Sequence, residues 1–463
     1  AQAVCKRPSP RPCSPGKMWR QALARWPRYP AAAALAALAS APAPAWRGSG
    51  PARCEAEDWK AKAQRLEAEV AELRRRLPRE EAPCYTIVLT GGPCAGKTTA
   101  MMHVKERLEN LGFVVFLAPE AATLFYGAGV KFLDFVPLGE NALAAIQAQI
   151  TRTQIHIENS FRELARVRGL PAVILCDRGT LDGKAYISQE LWNLILEDLG
   201  ASESMMRDKR YDAVVHLVTA ARGAEKFYTL QQAEGAGART ETVEQARVQD
   251  EKTLRCWVGH PHLFIVGNEG EFKSKLQRTV DRVLGVVGRS VSGHTCRKFK
   301  VAHLSVDAVA QALRASGVDS FQTFRMEQVF VTPRRRIRRR CLLDGQQAFH
   351  IIQEELESGT VVERQIGGRD YISERTAARE QGIPIFEKHL VVFEWGNHLI
   401  QVNIFSDPEP VCIVEVEAES RDAPISLPSF LEAAGSAVEV TEDPAFQSYA
   451  VSERVRGQAL GSR

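Results

Sequence analysis

The sequence predicts an α/β region with a parallel sheet covered by helices on both faces, followed by a β-rich region with an antiparallel sheet. Three observations carry this prediction. Apolar strand-like runs alternate with helical segments from about residue 84 to 290. A glycine-rich loop separates the first of these runs from a helical segment. From residue 297 onward, β-rich runs follow one another closely, some of them joined by hairpin-like turns.

The composition indicates an ordinary globular protein. The 463 residues are 45% hydrophobic and 25% charged, which is typical of a chain with about two to three domains. A net charge of +4 is too small to indicate a nucleic-acid partner, and none is expected. The ten cysteines are scattered without a CxxC pair, so neither a zinc site nor a disulfide framework is predicted, and a reducing compartment is expected.

Two segments precede the α/β region. Residues 1–54 are basic, contain no Asp or Glu, and read either as a mitochondrial or plastid transit peptide or as a disordered tail of a cytoplasmic protein. Their apolar tract, residues 31–45, is too short and too proline-broken to cross a bilayer. Residues 55–80 predict a short coiled-coil helix that either forms a homodimer through residues 59–77 or packs on the next domain. Its heptad positions are Trp59, Ala63, Leu66, Val70, Leu73 and Leu77.

The α/β region opens with a phosphate-binding loop of the P-loop type. The apolar run Tyr85–Leu89 precedes the loop and a helical pattern follows it, which is the context that this motif requires. Glycines let backbone N–H groups turn toward phosphate oxygens, and the helix N-terminus adds its positive end. Lys97 is expected to reach the β- and γ-phosphates of a nucleotide and Thr98 to bind Mg²⁺. The predicted loop residues are Gly91, Gly92, Pro93, Cys94, Ala95, Gly96, Lys97, Thr98 and Thr99.

Two acidic residues end predicted strands and are candidates for the chemistry. Further strands are predicted at residues 112–117, 171–177, 213–218 and 263–266, with long helices at about 141–168 and 271–287. Asp177 ends the third strand, where ligands bind in open α/β sheets, and is the candidate second Mg²⁺ ligand. Glu120 follows the second strand and is a candidate to orient water, to act as a base or to reach the metal through water. Capping the following structure is the alternative for both acids.

Several further charged residues are candidates near the nucleotide. Arg178 and Asp182 follow Asp177 and could contact phosphate or substrate. The charged stretch 220–260 could close over the phosphates with a basic residue in the manner of an arginine finger, or form a solvated helical hairpin. Its candidate residues are Arg222, Lys226, Arg239 and Arg247.

The β-rich region, residues 297–455, is predicted to be an antiparallel barrel or a strongly curved sheet. Alternating charges on two of its strands indicate a polar interior that suits a phosphorylated ligand such as a polyphosphate. The candidate residues are Arg336, Arg338 and Arg340 on one strand, Glu415 and Glu417 on another, and Lys388 and Arg364 beside them. An exposed face of mixed charge, or a basic patch at residues 334–340 for an anionic membrane surface or nucleic acid, is the alternative.

Four stretches of the sequence together resemble the TRPL translocation defect protein family. They are residues 90–98, 176–182, 219–225 and 259–262. The resemblance covers about 84–455 and implies a P-loop NTPase of the type also seen in bacterial nicotinamide riboside kinases. It implies a second, α+β domain with an antiparallel β-tunnel of the CYTH, or triphosphate-tunnel, type. It further implies that GTP, before ATP, is the nucleotide and that the second domain binds a phosphoinositide, with Arg336, Arg338, Lys388 and Glu415 at tunnel positions.

The second domain departs from the catalytic tunnel enzymes. Only Glu327 stands where those enzymes carry an ExExK strand, Asn403 replaces an acid, and His389 replaces a basic residue. Triphosphate hydrolysis in the tunnel is therefore the weaker hypothesis. The stronger ones are a regulatory protein that binds and slowly hydrolyses a Mg²⁺-bound nucleoside triphosphate, and a kinase for a small nucleoside-type molecule.

Overall fold

The computed structural model describes most of the chain after residue 81. The described residues are 82–131, 134–228, 242–289, 295–342, 345–354, 361–396, 398–406, 410–418, 424–433, 437–447 and 449–450. The predicted targeting segment 1–54 and heptad helix 55–80 lie outside them, as does Arg239. Residues 82–463 form one compact unit. In its described part, every helix is too short or too polar to cross a lipid bilayer.

The first half of this unit is a five-stranded parallel sheet in the order β2-β3-β1-β4-β5. Its strands are β1 (Cys84–Thr90), β2 (Val114–Ala118), β3 (Ala172–Asp177), β4 (Ala213–Leu217) and β5 (Leu263–Val266). The predicted parallel sheet is therefore confirmed. The helices around it are α1 (Lys97–Asn110), α2 (Ala121–Gly127), α3 (Glu140–Arg168), α4 (Gln189–Leu199), α5 (Glu203–Asp208), α6 (Val243–Trp257) and α7 (Phe272–Val286).

Helices cover both faces of the parallel sheet because its strands are apolar on both sides. On β1, Ile87 and Leu89 pack with α1 and α7, while Val88 packs toward α3, α4 and α6. All three side chains are fully buried. Continuous apolar strands of this kind fit only a sheet that is covered twice. The arrangement places the carboxyl ends of β1, β3 and β4 side by side, next to the N-terminus of α1.

The second half is an antiparallel sheet of nine strands in the order β10-β9-β8-β7-β11-β12-β13-β6-β14. These strands are β6 (Thr295–Val301), β7 (Phe321–Thr332), β8 (Arg335–Leu342), β9 (Gln347–Glu354), β10 (Val361–Gln365), β11 (Phe386–Trp395), β12 (His398–Phe405), β13 (Val411–Ala418) and β14 (Val438–Glu439). The accompanying helices are α8 (Val306–Ala315), α9 (Gly368–Glu380) and α10 (Ser429–Ala433).

Helices α8 and α9 cover one face of the antiparallel sheet, which we call the outer face. Val391 and Val414 point to this face and pack with Val309 and Leu313 of α8. Ile337 of β8 packs there against Tyr371 of α9. We call the opposite face, which carries Arg336, Lys388 and Glu415, the inner face.

The antiparallel sheet is strongly curved, but a closed barrel is not confirmed. The edge strands β10 and β14 do not pair with each other among the described residues. Four strand spacings of about 4.8 Å would separate β8 from β13 by about 19 Å in a flat sheet. Arg336 of β8 nevertheless interacts electrostatically with both Glu415 of β13 and Glu363 of β10. The sheet must therefore curl around its inner face, as the alternative prediction of a curved sheet requires.

One buried apolar cluster joins the two sheets. Phe324, Met326 and Leu390 on the inner face belong to the same buried cluster as Trp192 and Trp257 of the α/β half. Phe324 and Trp257 are almost completely buried. The α/β half therefore covers one end of the inner face. The predicted division into domains at 84–290 and 297–455 stays a prediction.

Candidate functional site

The loop between β1 and α1 has a backbone that only small or strained residues adopt. Gly91, Cys94 and Gly96 have φ angles of 135°, 55° and 87°. A Cβ atom on Gly91 would lie 2.0 Å from the carbonyl oxygen of Leu217, so β4 leaves no room for a side chain there. Left-handed residues in such a turn favour a concave backbone that suits an anion, and α1 begins directly after it at Lys97.

The ammonium group of Lys97 is held over this loop. Its Nζ donates hydrogen bonds to the carbonyl oxygens of Gly91 at 3.1 Å and of Gly92 at 3.2 Å. Burial and the neighbouring Arg178 lower the pKa of Lys97 to about 8. A phosphate anion at this position would stabilise the charged amine. Nucleotide binding above pH 8 should therefore take up a proton.

Asp177 ends β3 beside the loop, because β3 pairs directly with β1 and places Asp177 opposite Leu89. Its Oδ1 atom is buried and has no hydrogen-bond partner in the described part of the chain. Burial raises the pKa of this carboxyl group, and Lys97 partly offsets the rise. Thr98 is exposed in the first turn of α1. A buried carboxylate oxygen without a donor and an accessible hydroxyl fit the oxygen ligands of Mg²⁺, which otherwise keeps waters and phosphate oxygens.

Glu120 and Arg178 form an ion pair at the carboxyl ends of β2 and β3. The Arg178 Nε atom lies 2.8 Å from Oε1 of Glu120, and Glu120 also accepts a hydrogen bond from Thr123. Arg178 has a φ of 63°, an uncommon conformation for a residue with a side chain. Burial lowers the pKa of Arg178, but the surrounding anionic groups, Glu120 among them, raise it overall. The pair therefore places a permanent cation near the catalytic candidates Lys97 and Asp177.

Asp182 has a structural role, contrary to the suggestion that it contacts substrate. It is 2% exposed and accepts hydrogen bonds from the Thr90 hydroxyl, the Gly179 backbone N–H and the Trp257 indole. With three donors on two oxygens, its carboxylate is occupied by the protein itself. It fixes the turn after β3 against the end of β1.

Asp250 of α6 supports the loop and was missed by sequence reasoning. Its Oδ1 accepts hydrogen bonds from the N–H groups of Gly92 at 2.7 Å and Thr219 at 3.2 Å, and it lies 3.2 Å from Nε2 of His216. Burial alone would raise the pKa of Asp250, but His216 and the Gly92 N–H lower it overall. The sequence did contain a signal, since Asp250 falls on the apolar face of α6 between Ala246 and Leu254.

The basic residues proposed to close over the phosphates have other contacts. Arg247 donates to the Ala221 carbonyl oxygen and pairs with Glu225 at 2.9 Å. Lys226 lies 4.9 Å from the ring centroid of Phe227. The remaining described candidate, Arg222, interacts electrostatically with Asp250. An arginine-finger role for these residues stays a prediction.

The inner face of the antiparallel sheet gathers charges from strands that are distant in sequence. The side chains of Arg336 and Arg338 share it, as their spacing predicted, and Arg338 pairs with Glu363. Lys388 donates to Asn403 at 2.7 Å, and Glu415 lies 3.5 Å from Lys298. We call this set the charged belt. It comprises Arg336, Arg338, Lys388, Lys298, Glu363 and Glu415.

Three predicted members lie outside the charged belt. Arg340 is 2% exposed and donates to the carbonyl oxygen of Gly259 in the α/β half. Glu417 forms an ion pair of 2.9 Å with Arg282 of α7. Arg364 pairs in register with Ile351, whose side chain belongs to the outer face, so Arg364 does not point to the inner face. The first two hold the halves together, because their partners come from the α/β half.

The comparisons with known proteins agree with the α/β half. Residues 86–275 match the model of a family described as an AAA domain. This match supports a nucleotide-binding P-loop region, for which Mg²⁺ is the usual cofactor. A search of curated proteins found none that matches the chain. The resemblance to the TRPL translocation defect protein family is not confirmed by these comparisons and stays a prediction.

Proposed function

We propose that the chain binds a Mg²⁺-bound nucleoside triphosphate at the loop and hydrolyses it slowly, as a regulatory protein. The observation that carries the proposal is the position of Lys97, held over the glycine-rich loop beside a buried oxygen of Asp177 that has no hydrogen-bond partner among the described residues. The loop and Lys97 bind the phosphates, with GTP preferred to ATP by resemblance. Thr98 and Asp177 would hold the metal, which neutralises charge on the β- and γ-phosphate oxygens.

Slow hydrolysis follows from the state of Glu120. This carboxylate is the candidate to orient water, but it is paired with Arg178 and bonded to Thr123. A carboxylate that already engages these two partners is not free to orient an attacking water. A nucleotide that drew Arg178 toward its phosphates would release Glu120 to position water.

Lys97→Ala tests the proposal, with Lys105→Ala as the matched control. Lys105 lies on the same helix and pairs with Glu109 at its surface. Removing a charged hydrogen-bond donor costs about 1.5–3 kcal/mol, so affinity for MgGTP and MgATP should fall at least tenfold in Lys97→Ala. Lys105→Ala should bind as the natural chain does. Equal affinity in all three chains, measured by calorimetric titration, would contradict the proposal.

The alternative, a kinase for a small nucleoside-type molecule, is favoured by one observation. Glu120 and Arg178 form an ion pair close enough to influence Lys97, and a carboxylate there suits an acceptor hydroxyl. Incubation with nucleotide labelled at the γ-phosphate separates the two functions. Label on a small acceptor supports the kinase, whereas label found only on inorganic phosphate supports the regulatory NTPase.

For the second half, we propose that the charged belt binds an anionic phosphorylated ligand such as a phosphoinositide headgroup. The support is Arg336, whose Nε is buried and has no hydrogen-bond partner among the described residues. Lys388 is half-buried, and desolvation lowers its pKa to about 8 although the nearby Glu415 raises it. A phosphate would give Arg336 the hydrogen-bond partner that its Nε lacks and would stabilise the charged form of Lys388. Arg340 and Glu417 are omitted from this site because the α/β half already engages their charges.

A further inference from the structure

The groups around the loop fix which way a bound nucleotide must point. Asp177 and Glu120 lie on the β2–β3 side of β1, so the metal and the terminal phosphates belong on that side. The nucleoside must then extend toward the opposite side, over the loops that follow β4 and β5. This orientation rests on the proposed nucleotide function.

The loops after β4 and β5 form a fixed surface on that side. The Asn268 amide donates to the carbonyl oxygens of Thr219 at 2.8 Å and Arg222 at 2.7 Å. Its Oδ1 accepts a hydrogen bond of 2.7 Å from Lys275, which also donates to the Val218 carbonyl oxygen. Lys275 is only 3% exposed. One amide and one buried amine thus bind the two loops to each other before any ligand arrives.

Phe272 stands at the edge of this surface, as the first residue of α7. Two atoms of its ring lie 2.7 and 2.9 Å from the place where a Cβ on Gly96 would be. The ring is therefore pressed against the phosphate loop itself. It is nevertheless 48% exposed, so an aromatic face remains open next to the loop. A flat, uncharged ring is the ligand group that such a face accepts.

We propose that Phe272 is the stacking platform for the nucleobase, and that the surface fixed by Asn268 forms the neighbouring wall of the base site. Stacking reads the π-face that all bases share, so Phe272 supplies affinity for a nucleoside without selecting the base. Selection between guanine and adenine then falls to polar groups of the two loops. The charged belt takes no part in this base site.

The test compares ligands with and without a base. The natural chain, Phe272→Ala and Phe272→Tyr are each titrated with MgGTP, MgATP and magnesium tripolyphosphate. Tripolyphosphate binding is measured by the displacement of bound nucleotide, so that only binding at the nucleotide site is counted. We expect Phe272→Ala to bind both nucleotides about tenfold more weakly, because the variant loses the stacking contact with the base. Tripolyphosphate should bind equally to all three chains, and Phe272→Tyr should retain nucleotide affinity. Leu164→Ala, at an exposed apolar site on α3, is the control for surface truncation.

The outcomes separate this inference from the proposed function. Loss of affinity for nucleotides but not for tripolyphosphate supports the base site. An equal loss for all ligands would mean that Phe272 only shapes the loop and would overturn the inference, as would no loss at all. If the natural chain binds no nucleotide, the proposed function fails, and the base site fails with it. Thermal unfolding of each variant identifies chains that have lost their fold.

Discussion

The phosphate loop and the charged belt are the two proposed anion sites, and they are constructed by different means. In the loop, the six residues between β1 and α1 form a compact backbone turn, and Lys97 at the start of α1 adds charge. In the belt, six side chains come from five strands spread over residues 295–418. A site made of local backbone depends on conformation, whereas a site made of distant side chains depends on the curvature of a whole sheet. The two should therefore fail in response to different substitutions.

The largest effect is expected from Gly91→Ala. A methyl group at this position would meet the Leu217 carbonyl oxygen at 2.0 Å, and the φ of 135° is unfavourable for alanine. We expect the free energy of unfolding to fall by more than about 3 kcal/mol and nucleotide binding to be lost. Gly285→Ala is the control, because that glycine lies in α7 with open space around its Cα and alanine favours a helix. Similar urea midpoints for the two variants would contradict a conformationally fixed loop.

A smaller and more selective effect on ligand binding by the belt is expected when one of two neighbouring arginines of β8 is replaced. Arg336 faces the belt, whereas Arg335 pairs with Glu374 on the outer face. Arg336→Gln should weaken binding of inositol trisphosphate, a phosphoinositide headgroup, about tenfold, since one charged hydrogen bond is lost. Arg335→Gln should change it less than twofold. Equal losses from both variants, measured at two salt concentrations, would indicate a diffuse basic surface in place of a belt.

The smallest effect concerns pH and the contact between the halves. Burial lowers the pKa of His262, but the Glu363 carboxylate, 3.3 Å away, raises it overall. The charged pair therefore contributes stability that is complete below the ordinary histidine pKa of about 6.5 and is lost as pH rises through the higher native value. We expect the stability difference between the natural chain and His262→Gln to shrink above pH 6.5, by about 1.4 kcal/mol for each unit of pKa shift.

Urea unfolding of both chains across pH 6–9 checks this prediction. Lys97 and Lys275, with pKa values lowered to about 8, titrate in the same range, and the buried His260 and His350 have pKa values near 3. These groups are present in both chains, so the difference between the two curves isolates His262. A difference that stays constant with pH would contradict the pairing with Glu363.

Sequence patterns were sufficient where structure is local. The five parallel strands, the long helix that became Glu140–Arg168 and the loop were all predicted, because each depends on neighbours in sequence. The face shared by Arg336 and Arg338 was predicted for the same reason, since alternation along a strand is a local property.

Contacts between residues that are distant in sequence could not be predicted from local patterns. Asp250 reaches the loop only because α6 packs across it, 158 residues from Gly92. Arg340 alternates correctly with Arg336, yet its partner is a carbonyl oxygen contributed by the α/β half. Alternation also could not show whether β10 and β14 meet, so the closed barrel was an expectation that the strand order does not confirm.

The apolar cluster that joins Trp257 to Phe324 has a consequence for cooperativity. The Trp257 indole donates a hydrogen bond to Asp182, next to the phosphate loop. The apolar cluster around Trp257 also contains residues on the inner face of the antiparallel sheet. Neither half can melt without exposing the other half's buried surface, so heating should give one calorimetric transition. A nucleotide at 100 times its dissociation constant would add about 2.7 kcal/mol to the stability of both halves together. The antiparallel sheet would then become more heat-resistant through a ligand that it never touches.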